Sequence, residues 1–388
     1  MRRVWYLTLG HMALDFYMLL FPPLLALLKA HFNLTLVQAS LLPMVVTVFG
    51  AGVQPFMGYV ADRSNRFVLS AVGVMLSGIF ISAIGLAPSP LVLALFLFCA
   101  SLGSSVFHPT AGALVTASAP YRANFALAVF LTGGTVGMAL APVAGTQVVE
   151  HYGLESTWIL IFPAFIVAGV LLTQARGSEA VDRPKPAPIN FALLRTPALR
   201  PLWVLFAISV LRSLVHFGFI NFTAFLGTER GWSTVQVGWV LSLFLFSITL
   251  GRMAGGFLGD RVTPRRLLAV SNAGSMVFFL GFCAFDGPLG LVLFFIAGFI
   301  YDMGITTNII LAQRVMPDNA STATGMVMGF AWAVAGLLIP VVGILAEAFT
   351  VATALGVMSF LLLPAALLVS RLPHAPVETN RAAAGGDA

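Results

Sequence analysis

The chain has 388 residues, of which 59% are hydrophobic and 9% charged, with a formal net charge of +6 and a mean hydropathy of +0.98. Soluble domains carry about 25% charged residues, so this composition excludes an ordinary water-soluble protein, a disordered chain and a coiled coil. Two cysteines, Cys99 and Cys283, each lie inside an apolar run, which excludes a disulfide framework and gives no metal-ligand spacing.

A helix crosses the hydrocarbon core with about 20 mostly apolar residues. Cutting the sequence at charges, turn signals and polar clusters predicts twelve spans, at 4–28, 37–61, 67–86, 91–115, 124–149, 157–175, 201–226, 235–259, 267–285, 289–312, 322–346 and 351–370. The first begins like a secretory leader, Met1-Arg2-Arg3, but its apolar stretch is too long and carries His11 and Asp15, so it reads as a retained helix. After the sixth span, 176–200 is rich in proline and charge and reads as a cytoplasmic linker. It divides the chain into an N-terminal six-helix half, 1–175, and a C-terminal half, 201–372, followed by a polar tail at 373–388 expected to be disordered.

Lysine and arginine set the orientation. Loops on the side of the N-terminus hold sixteen of the twenty Lys and Arg residues, the opposite loops only Lys29 and Arg230, and Arg212 and Arg252 lie within spans. Both termini are therefore expected in the cytoplasm, and the basic balance reflects topology instead of a nucleic-acid partner. The setting expected is a bacterial-type inner (plasma) membrane, crossed many times by a monomer.

The two halves match at an offset of 198 residues, as Gly58-x-x-x-Asp62-Arg63 with Gly256-x-x-x-Asp260-Arg261, Val37-Gln38 with Val235-Gln236, and Pro142-x-x-Gly145 with Pro340-x-x-Gly343. Duplicated halves of this kind belong to secondary transporters that bind substrate at the midplane.

The segments Gly58 to Arg66 and Gly256 to Arg266 resemble the loop signature of the major facilitator superfamily, and the resemblance covers essentially the whole chain. Gly137-x-x-x-Ala141-Pro142-x-x-Gly145 is similar to the fifth-helix motif of its drug/proton antiporters. The stretches 11–28, 103–115 and 211–222 resemble its fosmidomycin-resistance branch. The resemblance implies an all-α integral membrane fold of twelve helices in two pseudo-symmetric halves, with the first, fourth, seventh and tenth helices lining a central cavity. Two positions depart from the pattern: Thr110 stands where the branch commonly has an acid after His-Pro, and Cys99 where many drug antiporters carry an arginine.

An ionisable group at a span centre costs about 2.5–3.5 kcal/mol on insertion scales and marks a candidate functional residue. Seven such groups are present: His11, Asp15, His108, Arg212, His216, Arg252 and Asp302. All but Arg252 fall on the four helices expected to line the cavity. Asp15 and Arg212 each lie about 17 Å into their spans at 1.5 Å per residue, near the midplane, with His11 and His216 one turn away.

Asp15, His11, His108 and Asp302 are candidate proton-coupling residues. The competing reading for Asp15 is a permanent pair with His11 or Arg212 that holds helices together; for Asp302 it is a hydrogen-bond partner for Tyr301, Asn308 or a neighbouring helix. For His108 it is a partner for the carbonyl that Pro109 frees. Arg212 suits an anionic substrate, since guanidinium matches phosphonate or carboxylate in a two-pronged fashion. His216, Tyr17, Phe107, Phe217 and Asn308 are candidate substrate contacts.

Gly58, Asp62, Arg63 and Arg66, with Gly256, Asp260, Arg261 and Arg252, read as gating residues that bias one conformation over another. Gly137, Pro142 and Gly145 read as a close helix–helix seam. No Gly-x-x-x-x-Gly-Lys-[Ser/Thr] loop is present, which leaves ATP drive without a site. The function expected is proton-coupled transport by alternating access, and the resemblance implies export of a small drug-like or anionic toxicant such as fosmidomycin in exchange for protons. Uptake of an organic anion together with protons is the alternative, and a transport-dead sensor is a remote one. A membrane enzyme would need a catalytic cluster at a membrane face, and no such cluster is read; the partners expected are a small molecule, protons and the bilayer, with no cofactor and no metal.

Overall fold

The computed structural model describes residues 1–61, 64–175, 199–259 and 261–373. Among them every regular element is helical. The helices are α1 (Arg2–His31), α2 (Leu36–Gly52), α3 (Gln54–Ala61), α4 (Arg66–Ser82), α5 (Pro90–Ser118), α6 (Ala123–Tyr152), α7 (Phe162–Thr173) and α8 (Arg200–Glu229). They continue with α9 (Thr234–Gly259), α10 (Pro264–Ala284), α11 (Gly287–Asp302), α12 (Ile305–Val315), α13 (Ala320–Gly325), α14 (Ala331–Ala348), α15 (Val351–Ser359) and α16 (Leu362–Leu368).

Among the described residues, ten helical segments are long and apolar enough to cross a membrane, and α2 and α4 are shorter apolar helices. Together these twelve follow the predicted spans in order. Several are interrupted: the second span divides into α2 and α3, the sixth starts as a 3-10 turn at Leu154–Ile161, and the tenth breaks between α11 and α12. The eleventh carries a π-helical stretch, Met326–Phe330, between α13 and α14. Glycine or proline stands at each break, as at Gly52 and Pro55, Pro163, Gly304, and Gly325 and Gly329, but α1 runs unbroken through Pro22 and Pro23 and α5 through Pro109, so residue type alone places none of them.

Helix starts are set by side chains that take up the free amides of the first turn. Asn65 Oδ1 accepts from Phe67 N and Val68 N at the head of α4, and Ser89 does the same for Val92 N at the head of α5. The repeated Val-Gln dipeptide belongs to a pair of capping boxes. Thr35 and Gln38 exchange side-chain-to-backbone bonds of 3.2 and 3.0 Å at the start of α2. Ser233 and Gln236 do so at 3.2 and 2.8 Å at the start of α9.

The described residues fall into two compact units. The first lies within Met1–Ala187, His216–Phe246 and Trp332–Leu355. In it α1 packs along α6 and α4 along α5. A Cβ at Gly133 would lie 2.7 Å from Thr8 O, and one at Gly137 would collide with Met12 O, so glycines of α6 let the backbone of α1 approach closely. At one end α14 seats on α2: Glu347 Oε2 accepts from Val37 N at 3.1 Å, and Gly343 faces Ser40.

The second unit lies within Pro188–Val215, Ser247–Ala331 and Gly356–Ala388. Its core gathers Leu202, Leu205 and Ile208 of α8 with Leu268 of α10, Ala312 of α12 and Val327. Here Gly251 and Gly255 of α9 face the carbonyls of Phe299 and Met303, where any side chain would collide.

Candidate functional site

In the first unit, α1 places His11 and Asp15 one turn apart on one face, and α5 supplies His108. His11 Nε2 lies 3.2 Å from Asp15 Oδ2, and His108 Nε2 lies 3.5 Å from Asp15 Oδ1. Both imidazoles are fixed from behind. His11 Nδ1 donates to Phe130 O at 2.9 Å, and His108 Nδ1 donates to Ser104 O at 3.0 Å. A carbonyl can only accept, so the bond to Phe130 puts the His11 hydrogen on Nδ1 and leaves its Nε2 facing the carboxylate, whereas His108 Nδ1 is also 3.2 Å from the Ser104 hydroxyl, which can donate to it.

His11 is clamped by rings, stacked on Phe130 at 4.2 Å and edge-on to His108 at 5.3 Å. Gly134 of α6 makes the space, because a Cβ there would lie 2.6 Å from both Asp15 Oδ2 and His11 Cε1. The side chains of His11, Asp15 and His108 are 6%, 14% and 32% exposed, so His108 is the open side of the cluster.

The sequence expectation for His108 centred on the carbonyl freed by Pro109, which belongs to Ser105. The imidazole instead bonds Ser104 O, while Ser105 Oγ reaches back to Phe49 O and Gly50 O across to α2. Thr110 bonds Ser70 of α4 at 3.1 Å and also donates to the carbonyls of its own preceding turn. Phe107 is fully buried beside His11, and Tyr17 donates its hydroxyl to Leu160 O at 2.7 Å. His216 packs near Phe244, and Phe217 stands edge-on to Trp332 at 5.9 Å. Gly145 faces Leu20 of α1, and the Pro142 carbonyl accepts from Thr146.

In the second unit Arg212 is 2% exposed, and its hydrogen-bond partners among the described residues are all neutral. One terminal nitrogen donates to Asn272 Oδ1 and Ser271 Oγ, the other to the Tyr301 carbonyl, and the guanidinium lies 4.2 Å over the Tyr301 ring. The break after Asp302 explains this placement. The last carbonyls of α11 lack their partners in the next turn, and a cation at a helix C-terminus is favoured by the aligned peptide dipoles.

Asp302 itself pairs with Arg252, Nε to Oδ2 at 2.8 Å. Its carboxylate side is buried and the arginine is 42% exposed. Asn308 Nδ2 donates to Ser209 at 2.7 Å. Arg261 stacks over the Phe257 ring at 4.0 Å, Gly256 has open space around it, and Arg66 opens α4. Asp62, Arg63 and Asp260, the side-chain surroundings of Gly58, residues 176–198 of the linker and 374–388 of the tail lie outside the described residues.

Several contributors went unread in the sequence. Ser271 and Asn272 form a polar pair inside a largely apolar ninth span, a signal of an intramembrane partner. Asn65, immediately ahead of an apolar run, is a recognisable cap, and its Nδ2 also ties α4 to Ala175 O at 3.1 Å. The backbone carbonyls of Phe130 and Ser104 leave no trace in residue types.

A sequence model of the major facilitator superfamily matches residues 7–340 and 220–387. The chain belongs to this superfamily. It is 25% identical over 367 residues to the fosmidomycin resistance protein of Escherichia coli K12, covering 92% of this chain and 89% of that protein. It is 29% identical over 255 residues to the probable nitrate/nitrite transporter NarK2 of Mycobacterium tuberculosis, covering 63% and 62% of the two chains. Among solved structures, a bacterial homologue of the human lysosomal transporter Spinster, inward-facing and occupied, superposes with a TM-score of 0.79 at 18% identity, over 95% of this chain and 96% of that one. The superfamily's all-α, twelve-helix membrane fold is therefore the fold of this chain, a multi-pass membrane transporter.

Proposed function

We propose that the protein is a proton-coupled secondary transporter working by alternating access, which exports a small drug-like or anionic toxicant in exchange for protons, with both termini in the cytoplasm. The observation that carries this reading is the Asp15 carboxylate held between the Nε2 atoms of His11 and His108 inside the apolar first unit. Charges placed there are costly and mark ion or proton pathways. The described ionisable groups that face Asp15 are these two imidazoles, which gives a compact store for protons. Membrane potential supplies about 2.3 kcal/mol per charge per 100 mV, enough for roughly 50-fold accumulation per charge moved. The E. coli relative named for fosmidomycin resistance supports a drug-like toxicant as cargo.

A second reading, uptake of an organic anion together with protons, is supported by Arg212, a buried guanidinium with only neutral hydrogen-bond partners among the described residues. A relative named for nitrate/nitrite transport is in keeping with it. The test is purified protein in proteoliposomes with an internal pH dye, challenged from outside with fosmidomycin and a panel of organic anions and cations. Export by exchange predicts protons leaving the lumen as substrate enters. Protons entering together with an anion would establish uptake instead, and no substrate-evoked proton movement would remove the coupling.

A further inference from the structure

The geometry points to a binding site for a divalent transition-metal ion of the zinc type, built by His11, Asp15 and His108. The inference goes beyond the transport reading and stands on donor-atom geometry, so it survives if proton coupling fails. Among the described residues these three offer one ligand atom each, all within 4.8 Å of one another. A tetrahedral ion bound at 2.0–2.1 Å separates its nitrogen and oxygen ligands by about 3.3 Å. His11 Nε2 lies 3.2 Å from Asp15 Oδ2 and His108 Nε2 3.5 Å from Asp15 Oδ1, so each imidazole stands near that spacing from one of the two carboxylate oxygens.

The outer layer is that of a metal-binding histidine pair. Metal-ligating imidazoles donate their second ring N–H to a carbonyl or carboxylate, which fixes the tautomer and aims the lone pair. Here Phe130 O and Ser104 O receive those hydrogens at 2.9 and 3.0 Å. With Nδ1 of His11 so committed, and that of His108 when it donates to Ser104 O, the Nε2 lone pairs point at carboxylate lone pairs, an arrangement that positive charge between them relieves. Protons relieve it, and so does one cation.

Two imidazoles and one carboxylate favour zinc, cobalt or nickel over the hard ions magnesium and calcium, which take oxygen ligands. Gly134 leaves the cluster its volume, and the exposed flank of His108 leaves a fourth position for water.

The test uses full-length protein without a histidine tag, in detergent, stripped with chelator. Titration with Co2+ is followed by its visible absorption, and Zn2+ then competes. One saturable Co2+ per chain, displaced by Zn2+, is expected. Loss of an outer-layer partner costs about 10–100-fold in metal affinity, so His11→Gln or His108→Gln is expected to weaken binding at least about 100-fold. His151→Gln, at an exposed histidine bonded to Gln147 O, is expected to bind as the unmodified protein does.

Absence of saturable binding, or undiminished binding in both site variants, overturns the proposal. Should those variants fail to fold, X-ray absorption on the zinc-loaded unmodified protein decides. Two imidazole nitrogens near 2.0 Å with oxygen completing the shell support the site, and any shell without two imidazoles overturns it. Binding is read without transport, so the result is independent of the proton-flux assay.

Discussion

Asp15 receives both imidazoles edge-on, and the three side chains form a unit in which each member's role depends on the others. Asp15→Asn keeps the shape and removes the charge. In proteoliposomes it is expected to bring substrate-evoked proton movement down to the level of empty vesicles, while circular dichroism stays that of the unmodified helical protein; retained flux would move the coupling elsewhere. His11 and Asp15 were legible together, because i and i+4 share a helix face and ionisable residues are rare in spans. His108 was legible as a titratable group on another span, but not as their neighbour, since sequence gives depth along a helix and not the rotation that aims its side chains. The Arg252–Asp302 pair shows the same limit. Each residue stood out alone, and the glycines at 251 and 255 that bring α9 onto α11 are what join them.

Several helices of this protein meet by close backbone approach at glycines. The seam of α1 and α6 is the clearest case, with Gly137 set against the Met12 carbonyl and Gly133 against Thr8. Gly137→Leu is therefore expected to destabilise by about 1–3 kcal/mol or more through overpacking, read as a lowered thermal midpoint in detergent; an unchanged midpoint would show that the seam yields at little cost. The motif glycines were recognisable from sequence as a close-approach run, but their partner helix was not. The break between α11 and α12 and the π stretch ahead of α14 could not be placed from sequence, for a physical reason. Asp302 and Gly304 mark the first and Gly325 and Gly329 the second, but such residues also lie inside unbroken helices, as Gly10 and Asp15 do in α1, and the groups that satisfy the interrupted backbone, such as Arg212 for the Tyr301 carbonyl, come from distant parts of the chain.

At the scale of the molecule, the order and number of helical segments were readable because hydrocarbon thickness dictates their length. The 198-residue repeat was readable because duplicated loops and capping boxes keep their register. Orientation is a prediction of the same kind. In a background with Cys99 and Cys283 replaced by serine, a membrane-impermeant thiol reagent added outside whole cells is expected to label Pro88→Cys and not Tyr121→Cys, two exposed positions that flank α5 at its opposite ends. The reverse pattern would invert the protein.

The graded exposure of the triad, least at His11 and greatest at His108, carries a consequence for leakage. A cul-de-sac with a single mouth takes in and gives back its passengers through the same opening. On the proposed coupling, a proton lodged on the triad would leave past His108, by the side on which it entered, so each crossing would be tied to a full swing of the protein and idle passage suppressed.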